Sequence, residues 1–438
     1  MKVMKFGGTS VGSPQRIKNV AALIENESGK KFVVLSAMSG TTNNLVEIYT
    51  ALKNGNKEEA IVLTENLRKK YADVIKELYD SAEYIDKAVK TVNDIFNDIL
   101  DLCDKEYSAQ LSKEIISKGE LISTNLMNYH WQEKGVKVVF IPALDFMKKT
   151  DADEPDFEVI KEELGKKMEQ YPDADLFLTQ GFICRSAKGD IDNLERGGSD
   201  YTASIIGAVL KADEIQIWTD IDGMHNNDPR FVEGTSPVHN LNFEEAAELA
   251  YFGAKILHPT CILPAKENDI PVRLLNTMEP QAEGTIIDHN LAQGKIQAVA
   301  AKDNIIAIKI KSSRMLLAYG FLKKVFEVFE KYQTPIDMIA TSEVGVSLTI
   351  DDDKNLDKIV DELKEFGTVT VDRDMVIVCV VGDLHWKNVG FESKVIDALK
   401  EVPVRMISYG GSNFNVSLLI SKEDKVKALK LLSKNLFA

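Results

Sequence analysis

An N-terminal α/β domain with a mainly parallel central sheet and a helical cap, followed by two ferredoxin-like βαββαβ units, is the fold class this sequence predicts. Three observations carry it. The chain opens on a short apolar run, a glycine turn and an amphipathic helix. Strand-like runs then alternate with polar loops and helical stretches as far as Leu275. Beyond a polar linker, one set of strands and helices occurs twice.

In order, Val3-Met4-Lys5-Phe6 leads into Gly7-Gly8-Thr9-Ser10-Val11-Gly12. Pro14 to Ile24 reads as a helix with Ile17, Val20, Ala21 and Ile24 on its apolar face. Strand, glycine turn and helix together aim backbone N–H groups and a helix N-terminus at phosphate. Glycines let the backbone approach the anion, and Lys5 adds a point charge. No Gly-x-x-x-x-Gly-Lys-Ser/Thr loop occurs, and an ordinary βα turn has the same local sequence. Lys31 to Leu35 is β-rich, and Ser36 to Asn43 follows as a second loop of small residues.

Leu45 to about Lys134 is charged, leucine-bearing and free of strand signals. It predicts several helices capping the sheet, interrupted at Ser117-Lys118-Gly119-Glu120. Strands resume at Val136–Ile141 and Leu176–Thr179, and Gly181 to Asn193 predicts a hairpin turning at Lys188-Gly189-Asp190. A second dense motif follows, Arg196-Gly197-Gly198-Ser199-Asp200-Tyr201-Thr202, then a helix to Leu210 and a strand Glu214–Trp218. Thr219-Asp220 closes that strand, and Asn227-Asp228-Pro229-Arg230 makes a further turn. Phe243–Tyr251 is helical, Gly253 to Pro259 opens another helix, and Pro271–Leu275 is the last strand expected here. Glu279 to Gly294 is turn-rich and polar, and is expected to be the linker.

The repeat has a period of about 71 residues. Ile305–Ile310 matches Val376–Val381, and Val346–Ile350 matches Val416–Ile420. Each copy adds a helix, a strand and a further helix, which makes a ferredoxin-like unit. The second copy stops short of its last strand, and Ile296–Ala300 is expected to supply it. The predicted division is therefore residues 1–294, 295–375 and 376–438.

Composition excludes several classes. The chain has 438 residues, 44% hydrophobic and 28% charged, with a net charge of -15. That acidity argues against nucleic acid or an anionic membrane as the main partner. No apolar run is long enough to span a bilayer, and the N-terminus lacks the basic-then-apolar pattern of a signal peptide. Cys103, Cys184, Cys261 and Cys379 are scattered like reduced core thiols. Neither they nor the six histidines show metal-ligand spacing. A cytoplasmic protein without a resident metal is expected.

Five segments together are recognisable: Lys5-Phe6-Gly7-Gly8-Thr9-Ser10, Arg196 to Tyr201, Trp218-Thr219-Asp220, Phe252-Gly253-Ala254-Lys255 with His258-Pro259, and Thr341-Ser342-Glu343-Val344. The chain resembles, nearly end to end, the monofunctional aspartate kinases of the amino-acid kinase family, which carry tandem ACT domains. The resemblance implies transfer of a phosphoryl group from ATP, with Mg²⁺, to the β-carboxylate of L-aspartate, the first step toward lysine, methionine and threonine. It places Lys5 and Asp200 among the catalytic residues. Ser36, Thr42, Glu120, Arg196 and Ser199 fall at its substrate positions. For Asp200 and Glu120 two roles stay open: holding the substrate ammonium, or orienting Lys5 and Arg196. Gly7, Gly8, Thr219, Asp220, His225, Asp228, Arg230 and Lys255 fall at its ATP positions. Met224-His225-Asn226 departs from the Ile-Tyr-Thr of many relatives, so His225 replaces a tyrosine near the adenine.

The resemblance further implies that the ACT pair binds an amino-acid effector, here lysine. Met315, Ala318, Phe321, Leu322, Asp337, Thr341 and Ser342 correspond to the effector-binding segment, with Asp337 suited to an ε-ammonium. Some relatives have serine at Ala318. A homodimer through the ACT domains is expected, and a chain ending after the second copy is expected to carry no fused homoserine dehydrogenase. Two other readings fit parts of the pattern. One keeps the fold but phosphorylates another small carboxylate, a carbamate or a nucleoside monophosphate. The other is an amino-acid sensor with a decayed kinase domain, against which intact Lys5, Glu120, Arg196 and Asp200 speak.

Overall fold

The first strand, β1 (Lys2–Phe6), is a central strand of a parallel sheet, flanked by β2 (Lys31–Leu35) and β7 (Glu214–Thr219). A computed structural model describes the chain except for residues 196, 254–256, 313, 314, 316–318 and 438. Two compact units emerge, one made of residues 1–223 and 260–289, the other of 224–259 and 290–438.

In the first unit the strands run in the order β3-β4-β2-β1-β7-β9-β10. Here β3 is Val139–Phe140, β4 Leu176–Gln180, β9 Val272–Asn276 and β10 Thr285–Asp288. All pair in parallel except β10, which runs antiparallel to β9. Every residue of β2 and β4 is buried, as expected of parallel strands covered on both faces. That explains why these strands read as unbroken apolar runs rather than alternating ones. A hairpin of β5 (Ile183–Arg185) and β6 (Ile191–Asn193) forms where expected.

Helix α1 (Pro14–Asn26) starts on Ser13, whose hydroxyl accepts the Arg16 N–H, with Pro14 in the first turn. Its buried face is Ile17, Val20, Ala21 and Ile24. The helical cap comprises α2 (Thr41–Lys53), α3 (Lys57–Leu78), α4 (Ala82–Cys103) and α5 (Ala109–Glu133). Trp131, Tyr71 and Phe96 lie fully buried in the core shared by these helices and the sheet. Two expectations are corrected. The break at Ser117–Glu120 does not occur, because α5 runs straight through it. Gly119 serves packing instead: a Cβ there would come within 2.8 Å of the Ala37 Cβ, so the glycine lets α5 lie against the loop after β2. The expected linker also contains a strand, β10, whose pairing with β9 extends the sheet beyond Leu275. Helices α6 (Phe157–Glu169), α7 (Gly198–Leu210) and α9 (Leu263–Glu267) complete the unit.

The second unit is built on a six-stranded antiparallel sheet, ordered β12-β13-β11-β14-β16-β15. Its two long central strands are β11 (Ile296–Lys311) and β14 (Thr368–Gly382). The others are β12 (Ile339–Ser342), β13 (Gly345–Ile350), β15 (Val404–Ser408) and β16 (Asn415–Ser421). Ala298–Lys302 pairs with Ile377–Val381, and Ala307–Lys311 pairs with Thr368–Asp372. Each long strand thus gives one half to each repeat, and the register shifts between the halves of β11. Helices α10 (Phe321–Lys331) and α11 (Leu356–Leu363) cover one repeat, α12 (Phe391–Ala398) and α13 (Lys425–Leu436) the other.

Residues 224–259, counted from sequence with the first part, pack in this second unit. They hold β8 (Asn240–Asn242) and α8 (Phe243–Tyr251), whose Asn242–Glu245 capping box fixes the helix start. Val232 joins the apolar core of the second repeat, and the Asn227 amide donates to the Leu429 carbonyl at 3.0 Å. Among the described residues no helix is long and apolar enough to cross a membrane.

Candidate active site

At the C-terminal ends of the first unit's parallel strands lies a cleft of about 510 Å³. Lys5 enters it from β1, Ser36 to Asn43 from the loop after β2 and the start of α2, Glu120 from α5, and Gly197 to Asp200 from the start of α7. At its centre Lys5 Nζ lies 2.7 Å from Asp200 Oδ1, and both side chains are nearly buried. An ammonium fixed there by one carboxylate keeps donors free for a further anion.

Glu120 is the other buried carboxylate. Its Oε1 accepts the Ala37 N–H at 3.1 Å, while Oε2 is buried without a hydrogen-bond partner. Burial pushes its carboxyl up to about 8, against the pull of two backbone hydrogen bonds and the Lys5 charge. A carboxylate held this way gains most from a cationic ligand, which supplies the missing partner and favours ionisation.

Two helix N-termini face the same space. Both α2 and α7 start on a glycine in the left-handed conformation, Gly40 and Gly197, with no side chain bonded to the first turn. The first N–H of each, from Thr41 and Gly198, donates to the Met38 and Glu195 carbonyls, so it is the next N–H groups of the first turn that face a ligand, and the helix dipoles favour an anion. The glycine caps were visible in the sequence as a signal; a serine or aspartate would have occupied the same N–H groups. Gly8 also lines the cleft, whereas the Gly7 N–H is spent on the Trp218 carbonyl at 3.1 Å, extending the sheet by one bond. A Cβ on Gly8 would come within 2.7 Å of the Ala37 carbonyl oxygen. Gly8→Ala is therefore expected to destabilise the protein by about 1–3 kcal/mol. Gly165→Ala, where a Cβ meets nothing within 4 Å, should leave the denaturant midpoint unchanged or raise it.

Sequence reasoning missed several lining residues, among them Phe182, Glu195 and Asn43. It also missed a clamp beneath the glycine loop. Ser10 and Thr277 share a hydrogen bond of 2.7 Å, and the Thr277 hydroxyl donates to the Thr219 carbonyl at 2.5 Å. No local pattern announces such a pair, because its partners are 267 positions apart.

Of the expected nucleotide residues, Thr219 and Asp220 close β7, where the Thr219 hydroxyl donates to Asp220 Oδ1 at 3.1 Å. His225, Asp228 and Arg230 fall in the second unit. His225 Nδ1 lies 2.9 Å from the Thr235 hydroxyl. Asp228 and Arg230 engage each other, Arg230 Nη2 approaching Asp228 Oδ2 at 2.6 Å. Burial raises the Asp228 carboxyl, but the Arg230 hydrogen bonds outweigh it and hold it below the usual range. Arg196, Lys255 and Ala318 lie outside the described residues.

The expected effector residues all belong to the second unit. Met315, Phe321 and Leu322 pack against the apolar core of the first repeat, with Phe321 edge-on to Phe366. Thr341 and Ser342 stand exposed on the edge strand β12. Asp337, expected to be available to an ε-ammonium, already has one, from Lys302 at 2.7 Å.

Comparison with known proteins agrees with this architecture. The profile described as the amino acid kinase family matches residues 1–276, and one described as an ACT domain matches residues 378–436. Lysine-sensitive aspartokinase 3 of Escherichia coli is 32% identical over 99% of this chain and 99% of its own length. Aspartokinase 1 of Arabidopsis thaliana chloroplasts is 33% identical over 99% of this chain and 80% of its own. Among solved structures, E. coli aspartokinase III in complex with aspartate and ADP superposes with a TM-score of 0.83 at 31% identity, covering 100% of both chains. The same enzyme in complex with lysine and aspartate gives 0.84 at 32% identity, again covering 100% of both chains. The chain belongs to the amino acid kinase family, among its aspartokinases.

Proposed function

We propose that this protein transfers the γ-phosphoryl group of Mg·ATP to the β-carboxylate of L-aspartate and is inhibited by L-lysine bound at its ACT repeats. The observation that carries the first half is the Lys5–Asp200 pair, set in a cleft that two uncapped helix N-termini face. A carboxylate acceptor is ionised at neutral pH, so no strong base is needed. The barrier lies in bringing two anions together and in spreading charge over the phosphoryl oxygens, which calls for positioning and cations.

Each residue then has a role that fits its surroundings. Lys5 stabilises the transferring phosphoryl group. Asp200 orients it, because its carboxylate is already committed to the Lys5 ammonium. Glu120, with one oxygen unpartnered, takes the substrate ammonium. Ser36, Thr42, Ser199 and the first-turn N–H groups that follow Thr41 in α2 and Gly198 in α7 receive substrate and phosphate oxygens, joined by Arg196, whose planar fork suits a carboxylate. Thr219, Asp220, His225, Asp228, Arg230 and Lys255 serve the nucleotide. Among the described residues no three His, Cys, Asp or Glu side chains gather into a cation site. The magnesium ion arrives on the nucleotide and keeps most of its waters. A catalytic part followed by two ACT repeats, the pairing of two chains through those repeats and a cytoplasmic location complete the reading.

The test is ADP release with Mg·ATP and a panel of small carboxylates, with and without L-lysine. Turnover that depends on L-aspartate and falls in millimolar lysine is expected. Turnover with another acid and none with aspartate would change the substrate. Ligand-induced heat stabilisation without any turnover would leave a sensor.

A further inference from the structure

Within the second unit, four side chains from four elements meet at one point. Lys302 Nζ, midway along β11, lies 2.7 Å from Asp337 Oδ1 and 2.9 Å from Asp351 Oδ2. The same ammonium sits 4.4 Å from the centre of the Tyr251 ring. The Tyr251 hydroxyl donates to Asp337 Oδ1 at 2.7 Å. Tyr251 ends α8, Asp337 precedes β12 and Asp351 follows β13. Two carboxylates and an aromatic face are the parts of a receptor for a primary alkylammonium ion. The occupant here is the chain's own.

Burial and register set this cluster apart from a surface ion pair. The Asp337 side chain is only 2% exposed, and its Oδ2 is buried with no hydrogen-bond partner. A carboxylate oxygen in that condition is costly and rewards any additional donor. Lys302 stands where β11 changes register, the last residue of the half that pairs with Ile377. Burial pulls its ammonium down, but the bonds to Asp337 and Asp351 outweigh this and keep it charged. The site is not sealed, because Asp351 and Tyr251 reach solvent. A soluble ligand can therefore contest it.

Free L-lysine carries the same ammonium on the same four-carbon stem. We propose that Lys302 is a tethered stand-in for the effector's ε-ammonium, filling the Asp337–Asp351–Tyr251 receptor until L-lysine displaces it. The inference rests on the lysine reading above and deepens it by naming the residue that sets the inhibition threshold. A tethered group competes at an effective concentration on the order of millimolar, so the free ligand has to outbid it at similar levels.

The experiment compares Lys302→Ala with the parent protein by isothermal titration calorimetry, lysine inhibition of ADP release and thermal melting. Lysine binding is expected to tighten by roughly tenfold or more in the variant, and half-inhibition to move by the same factor. n-Butylammonium chloride, which is the lysine side chain alone, is expected to raise the variant's melting temperature and leave the parent's unmoved. Unchanged or weaker lysine binding in the variant, beside a parent that does bind lysine, overturns the proposal and leaves the lysine reading standing. Lysine binding to neither protein removes both. If Lys302→Ala does not fold alone, its refolding in butylammonium chloride is the measurement. Recovery supports the stand-in, and failure to recover overturns it.

Discussion

Lys5→Ala is expected to lower kcat by roughly 10²–10³-fold, with a much smaller change in KM for L-aspartate. Lys5 sits near the end of a central strand, paired on both sides, so its ammonium is aimed by the sheet itself. Its side chain is 11% exposed and its partner Asp200 13%, which keeps water from screening the charge. A positive group so placed stabilises charge developing on the phosphoryl oxygens more than it stabilises bound substrate. Lys5→Arg should not restore the rate, because a planar fork cannot occupy the place of a compact ammonium beside Asp200. Loss of Lys5 also leaves a buried, unpaired carboxylate, which lowers stability. The double variant Lys5→Ala with Asp200→Asn separates the effects: stability returns and activity does not. An alanine variant with near-normal kcat would remove Lys5 from the reaction.

Glu120 gives the second large effect, and its sign is definite. Its carboxyl sits at about 8 in the ligand-free protein, raised from 4.5 chiefly by burial. An ammonium ligand favours the ionised form, so binding aspartate near neutral pH releases a proton. The dissociation constant for aspartate should therefore rise about tenfold for each pH unit below about 8 and level off above it. Free aspartate contributes nothing to this slope, since its own groups do not titrate between roughly pH 5 and 8. Glu120→Gln is expected to bind aspartate more weakly above pH 8 and to lose the slope, which calorimetry across pH reads directly. Stability runs the other way. A raised folded-state value means that the Glu120 contribution is fully present below the unfolded value of 4.5 and is lost as pH rises toward about 8. The loss proceeds at up to about 1.4 kcal/mol per unit, and the glutamine variant should not share it.

How much of this could be read beforehand depends on how local the cause is. The glycine loop after β1, the hairpin of β5 and β6, α8 and the repeat all arise from short-range pattern, and each stands where the sequence put it. Glu120 was legible as a site residue but not as the middle of a helix. Glycine in a run of charged residues signals a break, and only the loop carrying Ala37 shows that Gly119 is there for contact. Strand β10 was hidden among turn residues because a strand of four residues needs little apolar content when β9 supplies its pairing. The packing of residues 224–259 with the second unit depends on Val232 and Asn227 finding partners some 200 positions away, as the 202-residue separation from Leu429 shows. The Lys302 cluster draws on four elements, and no single stretch contains its signal.

The two long strands β11 and β14 bear on inheritance as well as on shape. Each repeat borrows half a strand from the other, so neither owns a complete sheet. The join expected at residue 375 falls inside an unbroken strand. A chain cut at that point would present two raw sheet edges, each a template for a stray partner. Once duplicated in this interlocked form, the repeats lost the freedom of ordinary modules to be shuffled, deleted or exchanged one at a time. A lineage can retune either half by substitution, but it can part with them only together.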